Sequence, residues 1–369
     1  MRRNTWLELD YSGLRDNLAA LRSVLDPRTE IILVVKANAY GHGMTDVAAH
    51  ARETGVRWFL VARLDEAVEL RRALPDSHIL LLGALWPGDF AELQDYRITP
   101  LLISQAQAEG LAAEARKHKV VLPCHAKVDT GMGRFGFAWE DGAETLVRLQ
   151  AAGGLAVRGL CMHFASAGRP GDPFAAEQEK RFKFVLDACE KCGISGLFKH
   201  IANSAAVTTR PDWDLDGVRL GILMYGYGGR RLGARIRTQP FLQWKTRVVQ
   251  VKKVPAGFPV GYLSTHVTEA PTHLATIDVG YSDGFSRLMS NKGCVLVGGR
   301  RAKVVGRVSM NFTTIDAGPE GGVKEGDEVV LIGRQGREAL WADELARWCQ
   351  TIPYEILTNI RSEVLARRT

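Results

Sequence analysis

The sequence predicts a (β/α)8 barrel followed by a mostly antiparallel β-domain. Three observations carry this prediction: eight near-continuously apolar runs up to residue 222, helix-like segments between them, and a change of texture after about residue 235. Apolar strands separated by single helices indicate a parallel sheet buried on both faces, and eight such units indicate a closed barrel. The alternative is a doubly wound open sheet, and the absence of a G-x-G-x-x-G motif after the first strand counts modestly against it.

The predicted barrel strands are short runs of apolar and β-branched residues. The eight runs are residues 31–35, 58–62, 79–82, 100–103, 120–128, 156–163, 198–202 and 218–222. Amphipathic segments with helix-forming residues lie between several of them, at residues 65–73, 104–117, 143–152 and 177–192. This alternation predicts a barrel domain that spans residues 1–235.

The pattern after the barrel predicts a separate domain of short strands. The strand-like runs are residues 246–251, 273–279, 293–297, 303–305, 312–315 and 328–332. Glycine, proline and asparagine turns break these runs, and only one clear helix is predicted, at residues 342–349. We therefore expect a β-domain at residues 236–369, with the boundary in the glycine- and arginine-rich stretch 227–236.

Charge and cysteine content exclude several functional classes. The chain has 48 Lys and Arg residues and 41 Asp and Glu residues, and because the two signs are interspersed, we expect a mildly basic surface and no nucleic-acid partner. Cys189 and Cys192 have no second pair at metal-ligand spacing, so no metal site is expected. No signal peptide and no run of roughly 18 apolar residues is found, which predicts a cytoplasmic protein with no membrane partner.

The most informative segment is IILVVKANAYGHG, in which an apolar run leads directly into Lys36. Burial disfavours the charged form of an amine and lowers its pKa, so a lysine at the end of a buried strand is a candidate nucleophile toward carbonyl carbon. Lys36 is thus a candidate Schiff-base lysine. The alternative is a surface lysine that ends a strand, since lysine is almost never fully buried unless it is paired.

Polar residues lie at or just after the carboxyl ends of several other predicted barrel strands, where barrel enzymes carry their chemistry. They are Lys127 near the end of strand five with Asp129 and Arg134 in the loop after it, His163 at the end of strand six, Asn203 and Ser204 after strand seven, and Arg219 in strand eight, just before Gly221 and Ile222. An amine nucleophile, arginines and a serine and glycine turn on one rim suit a phosphorylated carbonyl cofactor. Pyridoxal 5′-phosphate is the simplest candidate.

Arg219 discriminates among enzymes that use pyridoxal phosphate. Many of them place a carboxylate beside the pyridine nitrogen, which keeps this nitrogen protonated and lets the ring act as a full electron sink. An arginine, always charged and donor-only, would leave the nitrogen unprotonated and favour removal and return of a proton. The alternative is a barrel-core arginine paired to Asp214 or Asp216.

These residues resemble one family, alanine racemase, along nearly the whole chain from Trp6 to Tyr354. The matching barrel segments are VVKANAYGHG, KVDTGMGRFG, MHFA, HIANSAA and VRLGILMYG, and the matching later segments are PVGYLSTHV, VGYSDGFSR, GRVSMN and IPYE. The resemblance implies a barrel plus β-domain fold, pyridoxal phosphate as cofactor, and interconversion of L- and D-alanine that supplies D-alanine for peptidoglycan.

The resemblance also implies a role for each matched residue. The implied cofactor ligands are Lys36, Tyr40, Arg134, His163, Asn203, Ser204, Arg219, Gly221, Ile222 and Tyr354, with His163 holding Arg219. Lys36 and Tyr262 would be the two bases, and Arg134, Met310 and Tyr281 would contact the substrate. Lys127 corresponds to a lysine that is often carbamylated in the family. The tyrosine and methionine loops would come from the partner of a homodimer.

The sequence departs from the family at a few positions, and other interpretations stay open. Asn311 stands where the family usually has an aspartate. Tyr281 and Tyr354 at the entryway favour alanine over larger amino acids, while serine would be rejected only weakly. A pyridoxal phosphate carrier would resemble the barrel alone, and a decarboxylase would carry an acidic residue at the ring nitrogen, so Arg219 and Tyr262 count against both.

Overall fold

The computed structural model describes residues 5–169, 171–228 and 236–368. The strands in chain order are β1 (Trp6–Asp10), β2 (Glu30–Val34), β3 (Trp58–Val61), β4 (His78–Leu81), β5 (Thr99–Leu102), β6 (Leu122–Asp129), β7 (Phe137–Ala138), β8 (Leu155–Cys161), β9 (Phe198–His200), β10 (Gly217–Leu220), β11 (Leu242–Val254), β12 (Pro259–Val260), β13 (His266–Val267), β14 (Thr272–Ile277), β15 (Cys294–Val297), β16 (Arg300–Val304), β17 (Thr313–Gly318), β18 (Glu328–Gln335), β19 (Glu338–Leu340) and β20 (Glu363–Arg368).

The α-helices follow the alternation that the sequence predicts. They span Tyr11–Arg22, Met44–Glu53, Leu64–Ala73, Phe90–Asp95, Gln105–Lys117, Gly142–Ala151, Pro173–Lys191, Ser204–Thr209, Ala342–Trp348 and Pro353–Thr358. A further helical turn at Lys36–Tyr40 is left-handed and belongs to the candidate site. No helix in the described part of the chain is long and apolar enough to cross a membrane.

Eight parallel strands form the barrel, in the order β10-β2-β3-β4-β5-β6-β8-β9. Closure between β9 and β10 comes from an isolated parallel bridge between Asn203 and Arg219, with the Arg219 N–H donating to the Ala202 carbonyl at 2.9 Å. Most residues of these strands are buried, including all four of β10 and the last four of β2. Helices on the outer face cover the sheet, as the near-continuous apolar runs require.

The second sheet is mostly antiparallel and has the order β19-β18-β15-β16-β17-β14-β11-β1-β20. An additional pairing of β11 with β18 joins six of its strands into a closed ring. The 13-residue strand β11 pairs with β1, β14 and β18, so it is the central element of this sheet.

The predicted fold class is confirmed. All eight barrel strands form within two residues of the predicted start, and so do four of the six strands predicted for the β-domain. The exceptions are β11 and β16, which begin at Leu242 and Arg300, four and three residues before the predicted positions. The prediction of a single helix after residue 236 was wrong, because Pro353–Thr358 forms a second short helix.

The N-terminal strand belongs to the β-domain sheet and not to the barrel. β1 pairs antiparallel with β11 and parallel with β20, although the sequence assigned residues 1–235 to the barrel domain. By compactness, one unit contains the chain up to Gly13, Tyr40–Gly43 and the chain from Pro240, and the other contains Leu14–Ala39 and Met44–Gln239. The predicted boundary at residues 235 and 236 adjoins residues 229–235, which lie outside the described residues.

Candidate active site

Lys36 follows β2 directly after Val35 and is half-buried. Burial lowers the pKa of its amine, and the nearby Arg134 lowers it further, while Glu66 opposes both. A lysine with a lowered pKa has more of the neutral, nucleophilic amine near neutral pH. The structure therefore places a candidate nucleophile at the carboxyl end of a barrel strand, where the sequence predicts it.

The backbone after Lys36 makes a left-handed turn. Ala37, Asn38, Ala39 and Tyr40 all have φ between 52° and 55°. Left-handed helical geometry costs non-glycine residues roughly 1–2 kcal/mol each, because Cβ crowds the following carbonyl oxygen. Four consecutive residues in this conformation mark a turn that surrounding contacts hold in place, which is typical of functional sites.

Arg219 on β10 is 6% exposed and is held by backbone carbonyls. Its Nη2 donates to the carbonyls of Met162 (2.6 Å) and Ile201 (3.1 Å), and its Nη1 donates to the carbonyl of His200. Nη2 also lies 3.4 Å from Nδ1 of His163. The alternative pairing with Asp214 or Asp216 is not seen: no ion pair joins Arg219 to either carboxylate among the described residues, and Asp216 instead pairs with Lys199 at 3.4 Å. Arg219 thus brings a buried positive charge to the barrel interior without a matching carboxylate ion pair among the described residues.

Two buried histidines, His200 and His125, form a chain of hydrogen bonds with Arg219. Nη1 of Arg219 lies 3.1 Å from Nδ1 of His200, and Nε2 of His200 lies 2.9 Å from Nδ1 of His125. Since arginine can only donate, Nδ1 of His200 accepts, and the proton of neutral His200 is on Nε2, where it is donated to His125. Burial lowers the pKa of His125 to about 4 and the pKa of His200 well below its usual value. Both rings are therefore neutral near pH 7.

His163 is neutral for the same reason. Burial, followed by the charges of Arg219 and Arg134, lowers the pKa of His163 to about 3. A neutral imidazole can accept a hydrogen bond from Arg219 without adding charge repulsion. The expected contact between His163 and Arg219 is present in the structure.

The loop after β6 carries Arg134 and is organised by Asp129. The Asp129 carboxylate accepts the backbone N–H groups of Gly131 (3.0 Å), Met132 (2.8 Å) and Gly133 (3.0 Å). Burial alone would raise the pKa of Asp129, but these bonds and the charge of Lys127 outweigh it and lower the pKa. A charged Asp129 therefore fixes the turn that presents the exposed Arg134.

Lys127 is only 2% exposed, and its amine donates to the Phe135 carbonyl at 2.6 Å. Burial is the main cause that lowers its pKa; the cations Arg219 and Arg134 lower it further, while Asp129 opposes them. Two arginine charges disfavour a third cation at this buried position and would favour an anion there.

A cradle suited to a phosphate lies after β9 and β10. Asn203 caps the short helix Ser204–Thr209, and its side-chain oxygen accepts the N–H groups of Ala205 (3.1 Å) and Ala206 (3.0 Å). The Ser204 hydroxyl accepts the Gly221 N–H at 3.0 Å, which places Ser204 beside the backbone of Gly221 and Ile222. Phosphate sites of barrel enzymes are frequently built from the loops after strands seven and eight with a short extra helix. The residues present thus fit the phosphate end of pyridoxal phosphate, and Lys36 fits its aldehyde.

Tyr40 and Tyr354 lie together in the other compact unit. Their ring centroids are 5.9 Å apart, and Tyr40 is buried. Burial raises the pKa of both hydroxyl groups, so both remain protonated hydrogen-bond donors near pH 7.

Tyr262, Tyr281 and Met310 lie on exposed loops of the same unit. The Tyr281 N–H donates to the Ser309 carbonyl at 3.1 Å, which joins the Tyr281 and Met310 loops. Tyr262 is 69% exposed and Met310 is 56% exposed. The side chain of Asn311 donates to the Ser282 hydroxyl at 3.0 Å.

The structure thus brings one group of predicted residues together in the barrel. This group is Lys36, Lys127, Arg134, His163, Asn203, Ser204, Arg219, Gly221 and Ile222. The predicted Tyr40, Tyr262, Tyr281, Met310 and Tyr354 belong to the other unit. Sequence reasoning missed His125, His200 and Glu66; His200 opens the HIANSAA segment, but nothing in the pattern indicated that it contacts Arg219.

Comparisons with known proteins agree along nearly the whole chain. The family model for the alanine racemase N-terminal domain matches residues 9–228, and the model for the alanine racemase C-terminal domain matches residues 241–368. The alanine racemase of Halothermothrix orenii is 40% identical over 363 residues, which cover 98% of this chain and 96% of that protein.

Solved structures show the same similarity. The alanine racemase of Bacillus anthracis with bound L-Ala-P superposes with a TM-score of 0.91 at 33% identity, covering 98% of this chain and 93% of that one. The alanine racemase of Bartonella henselae with covalently bound pyridoxal phosphate superposes with a TM-score of 0.88 at 29% identity, covering 99% of each chain.

Proposed function

The chain belongs to the alanine racemase family, and from that premise we propose that its pyridoxal phosphate-dependent interconversion of L- and D-alanine uses Lys36 and Tyr262 as the two bases. The observation that carries this proposal is that one barrel contains both a strand-end lysine of lowered pKa and a buried arginine held by backbone carbonyls. Racemisation needs a proton removed on one face of Cα and returned on the other, so a second acid-base group is required besides Lys36.

Pyridoxal phosphate, when bound, supplies an electron sink that acidifies the Cα–H of the attached amino acid. Lys36 would hold its aldehyde carbon. Ser204, with the backbone of Gly221 and Ile222, would hold the phosphate, supported by the cap that Asn203 places on the adjacent helix. Tyr40 and Tyr354, both protonated, would donate to the phosphate.

Arg219 would face the pyridine nitrogen and set the reaction type. Donation to three carbonyls holds its charged guanidinium in place. A charged donor leaves the ring nitrogen without a proton. A weaker electron sink disfavours side reactions that need full charge delocalisation, such as transamination. His163 and His200, neutral on either side of the guanidinium, would keep it oriented.

Each active site would be completed by a second copy of the chain. Tyr262 is 69% exposed and its neighbour Leu263 is 82% exposed, which is unusual for a catalytic group and for a large apolar residue. We propose a homodimer in which Tyr262 and Met310 of the partner subunit reach the barrel site, with Arg134 and Met310 at the substrate carboxylate. Tyr281 and Tyr354 would line the entrance and favour alanine, with slow turnover of serine.

Lys127 would carry a carbamate, formed when its neutral amine adds CO2 and loses a proton. The resulting anion would pair with Arg134 and relieve the repulsion of two cations near a buried amine. Intact-protein mass measured at neutral pH and again after acid treatment tests this, because a carbamate is lost in acid. An unchanged mass would refute the modification.

The proposed enzyme has two domains. A division into a barrel domain at residues 1–235 and a β-domain at residues 236–369 is supported by the two family matches, with β1 as an N-terminal strand contributed to the β-domain sheet.

The enzyme would act in the cytoplasm and supply D-alanine for peptidoglycan. Fractionation of cells that produce the protein tests the location, and finding it outside the cytoplasmic fraction would refute that part.

The two-base assignment is tested by exchange in D2O. Wild-type enzyme should introduce deuterium at Cα of both L- and D-alanine, whereas Tyr262→Phe should exchange only one enantiomer and lose racemisation by about 10²–10⁴-fold. Tyr96→Phe, a hydroxyl deletion on a helix-end tyrosine that contacts Arg72, is the matched control. Exchange of both enantiomers at the wild-type rate in Tyr262→Phe would refute the role of Tyr262.

A further inference from the structure

Both soft backbone torsions of Lys36 are fixed by hydrogen bonds of the peptide groups on either side. The Val35 carbonyl, in the peptide before Lys36, accepts the Ala39 N–H at 2.8 Å. The Ala37 N–H, in the peptide after Lys36, donates to Oε1 of Glu66 at 2.7 Å. Because each peptide is planar, holding the two flanking planes sets φ and ψ of the residue between them.

Glu66 reaches this peptide from a different element. It lies in the first turn of the helix Leu64–Ala73, which follows β3, the barrel neighbour of β2. Its other carboxylate oxygen, Oε2, accepts the N–H groups of Ala62 (3.0 Å) and Arg63 (3.2 Å). One carboxylate therefore joins the left-handed turn after β2 to the start of the next helix through three backbone donors.

The turn needs such a contact. Ala37, Asn38 and Ala39 are held at φ 52°, a conformation that L-residues avoid. Within residues 37–39 the turn is also held by the Ala39 bond described above and by the Asn38 side chain, which accepts the Met44 N–H at 2.9 Å. Of these three contacts, the Glu66 bond is the one that acts on the peptide immediately after Lys36.

We propose that Glu66 is a positioning residue for Lys36: its carboxylate holds the peptide that follows Lys36 and so fixes the direction in which the Lys36 side chain leaves the strand. This rests on the proposed role of Lys36 as the lysine that bonds pyridoxal phosphate. Glu66 does not touch the reacting atoms; it acts through the backbone of the turn.

The charge of Glu66 gives the proposal a second signature. Burial and Arg134 lower the pKa of Lys36, and Glu66 raises it. Removing the carboxylate therefore has two effects of opposite sign on the reactivity of Lys36. The pKa of Lys36 falls, which increases the neutral fraction, while the loosened turn lowers the maximal rate. Replacing a residue with a purely structural role would lower the maximal rate without changing the pKa of Lys36.

The test compares Glu66→Gln with Glu69→Gln, the same substitution at an exposed position on the same helix. A carboxamide has one acceptor oxygen and one donor group, so it cannot accept from both Ala37 and the Ala62–Arg63 pair. Full-length protein freed of cofactor is titrated with pyridoxal phosphate from pH 6 to pH 11, and its capture at Lys36 is followed by borohydride trapping and peptide mass. Hydrogen exchange of residues 36–40 is measured in parallel.

In Glu66→Gln we expect the pH midpoint of capture to fall, the maximal capture rate to drop about tenfold, and residues 36–40 to exchange faster, with Glu69→Gln unchanged in all three. Glu66→Asp keeps the charge but shortens its reach, so it should lower the maximal rate with a smaller change in midpoint; it also serves if Glu66→Gln does not fold.

Two failures are distinguishable. If wild type captures pyridoxal phosphate at Lys36 and Glu66→Gln does so with the same midpoint and rate, the positioning role is overturned and the proposed function stands. If wild type captures none at Lys36, the proposed role of Lys36 fails, and unchanged exchange of residues 36–40 in Glu66→Gln would overturn the positioning role as well.

Discussion

At the scale of single residues, burial determines what each site group can do. Lys36 and His163 both have a pKa lowered by burial, so a larger fraction of the amine is neutral and nucleophilic, and the imidazole is neutral near pH 7. Arg219 is buried but stays charged, because an arginine side chain cannot be deprotonated in proteins. The same low-dielectric environment thus gives a neutral base beside a permanent cation.

Arg219 gives a prediction about stability. Arg219→Lys keeps the charge but replaces a planar group that donates to the carbonyls of Met162, His200 and Ile201 with a single ammonium. Buried carbonyls that lose their donors should lower the free energy of unfolding by about 1–3 kcal/mol, measured by urea denaturation.

The matched control is Arg116→Lys. Arg116 also donates to two carbonyls, those of Ala152 and Gly153, but these contacts are exposed. We expect this variant to change stability by less than about 0.5 kcal/mol, as exposed substitutions usually do. Equal losses in both variants would contradict the importance of burial at Arg219.

The sequence predicted where some of the candidate site residues lie in the fold and missed others. Lys36 and Arg219 stand in recognisable sequence contexts, and the structure places both at barrel-strand ends. Glu66 could not be predicted, because its role is to accept a backbone N–H of a turn 29 residues away. Such a contact depends on the pairing of β2 with β3, which no local pattern specifies.

At the scale of elements, both the backbone conformation and the space around it constrain the turn after Lys36. Gly41 ends the left-handed stretch at φ 81°, and a Cβ at this position would lie 2.4 Å from the Leu357 carbonyl oxygen. Both conformation and space therefore require glycine there.

Gly41→Ala should lower the free energy of unfolding by about 2–4 kcal/mol, since the backbone strain of a positive φ and the steric clash add. Gly55→Ala is the control, because Gly55 has φ 92° but a Cβ added there would have no neighbouring atom within 4 Å. Gly55→Ala should lower the free energy of unfolding only by the backbone strain, about 1 kcal/mol. Denaturant midpoints that shift equally in the two variants would contradict the role of the Leu357 contact.

Element existence followed from the sequence, while element pairing did not. The continuous apolar runs predicted all eight barrel strands, because burial on both faces leaves a strong local signal. The placement of β1 in the second sheet was missed, since β1 pairs with β11 and β20, hundreds of residues away. Pairing between distant segments leaves no periodicity in either one.

At the scale of the whole molecule, the buried histidines predict how stability depends on pH. The pKa of His163 is lowered to about 3 and that of His125 to about 4, both by burial. In the unfolded chain each titrates near 6.5, so between pH 6.5 and 4 the unfolded state binds protons that the folded state does not.

The free energy of unfolding should therefore be at its full value above pH 6.5 and fall as pH decreases, by about 1.4 kcal/mol per pH unit for each such histidine. Urea denaturation at several pH values measures this slope. His125→Asn should reduce the slope by one proton, and His118→Asn, at an exposed position, should not. A slope unaffected by His125→Asn would contradict the burial of that ring as a neutral base.

The proposed homodimer makes a prediction that only a shared site satisfies. Lys36→Ala and Tyr262→Phe should each be inactive alone. If Tyr262 acts in the partner's site, an equal mixture of the two after subunit exchange should recover about a quarter of wild-type activity, because half the dimers are mixed and each has one intact site. Absence of any recovery, with subunit exchange shown by native mass spectrometry, would contradict the shared site.

The most direct test of the central claim is the circular dichroism of L-alanine incubated with the purified protein and pyridoxal phosphate. Because the two enantiomers have equal free energy, the signal should decay to zero with wild type and stay constant with Lys36→Ala. A constant signal with wild-type protein that has visibly bound the cofactor would contradict the assignment of alanine racemisation to this chain.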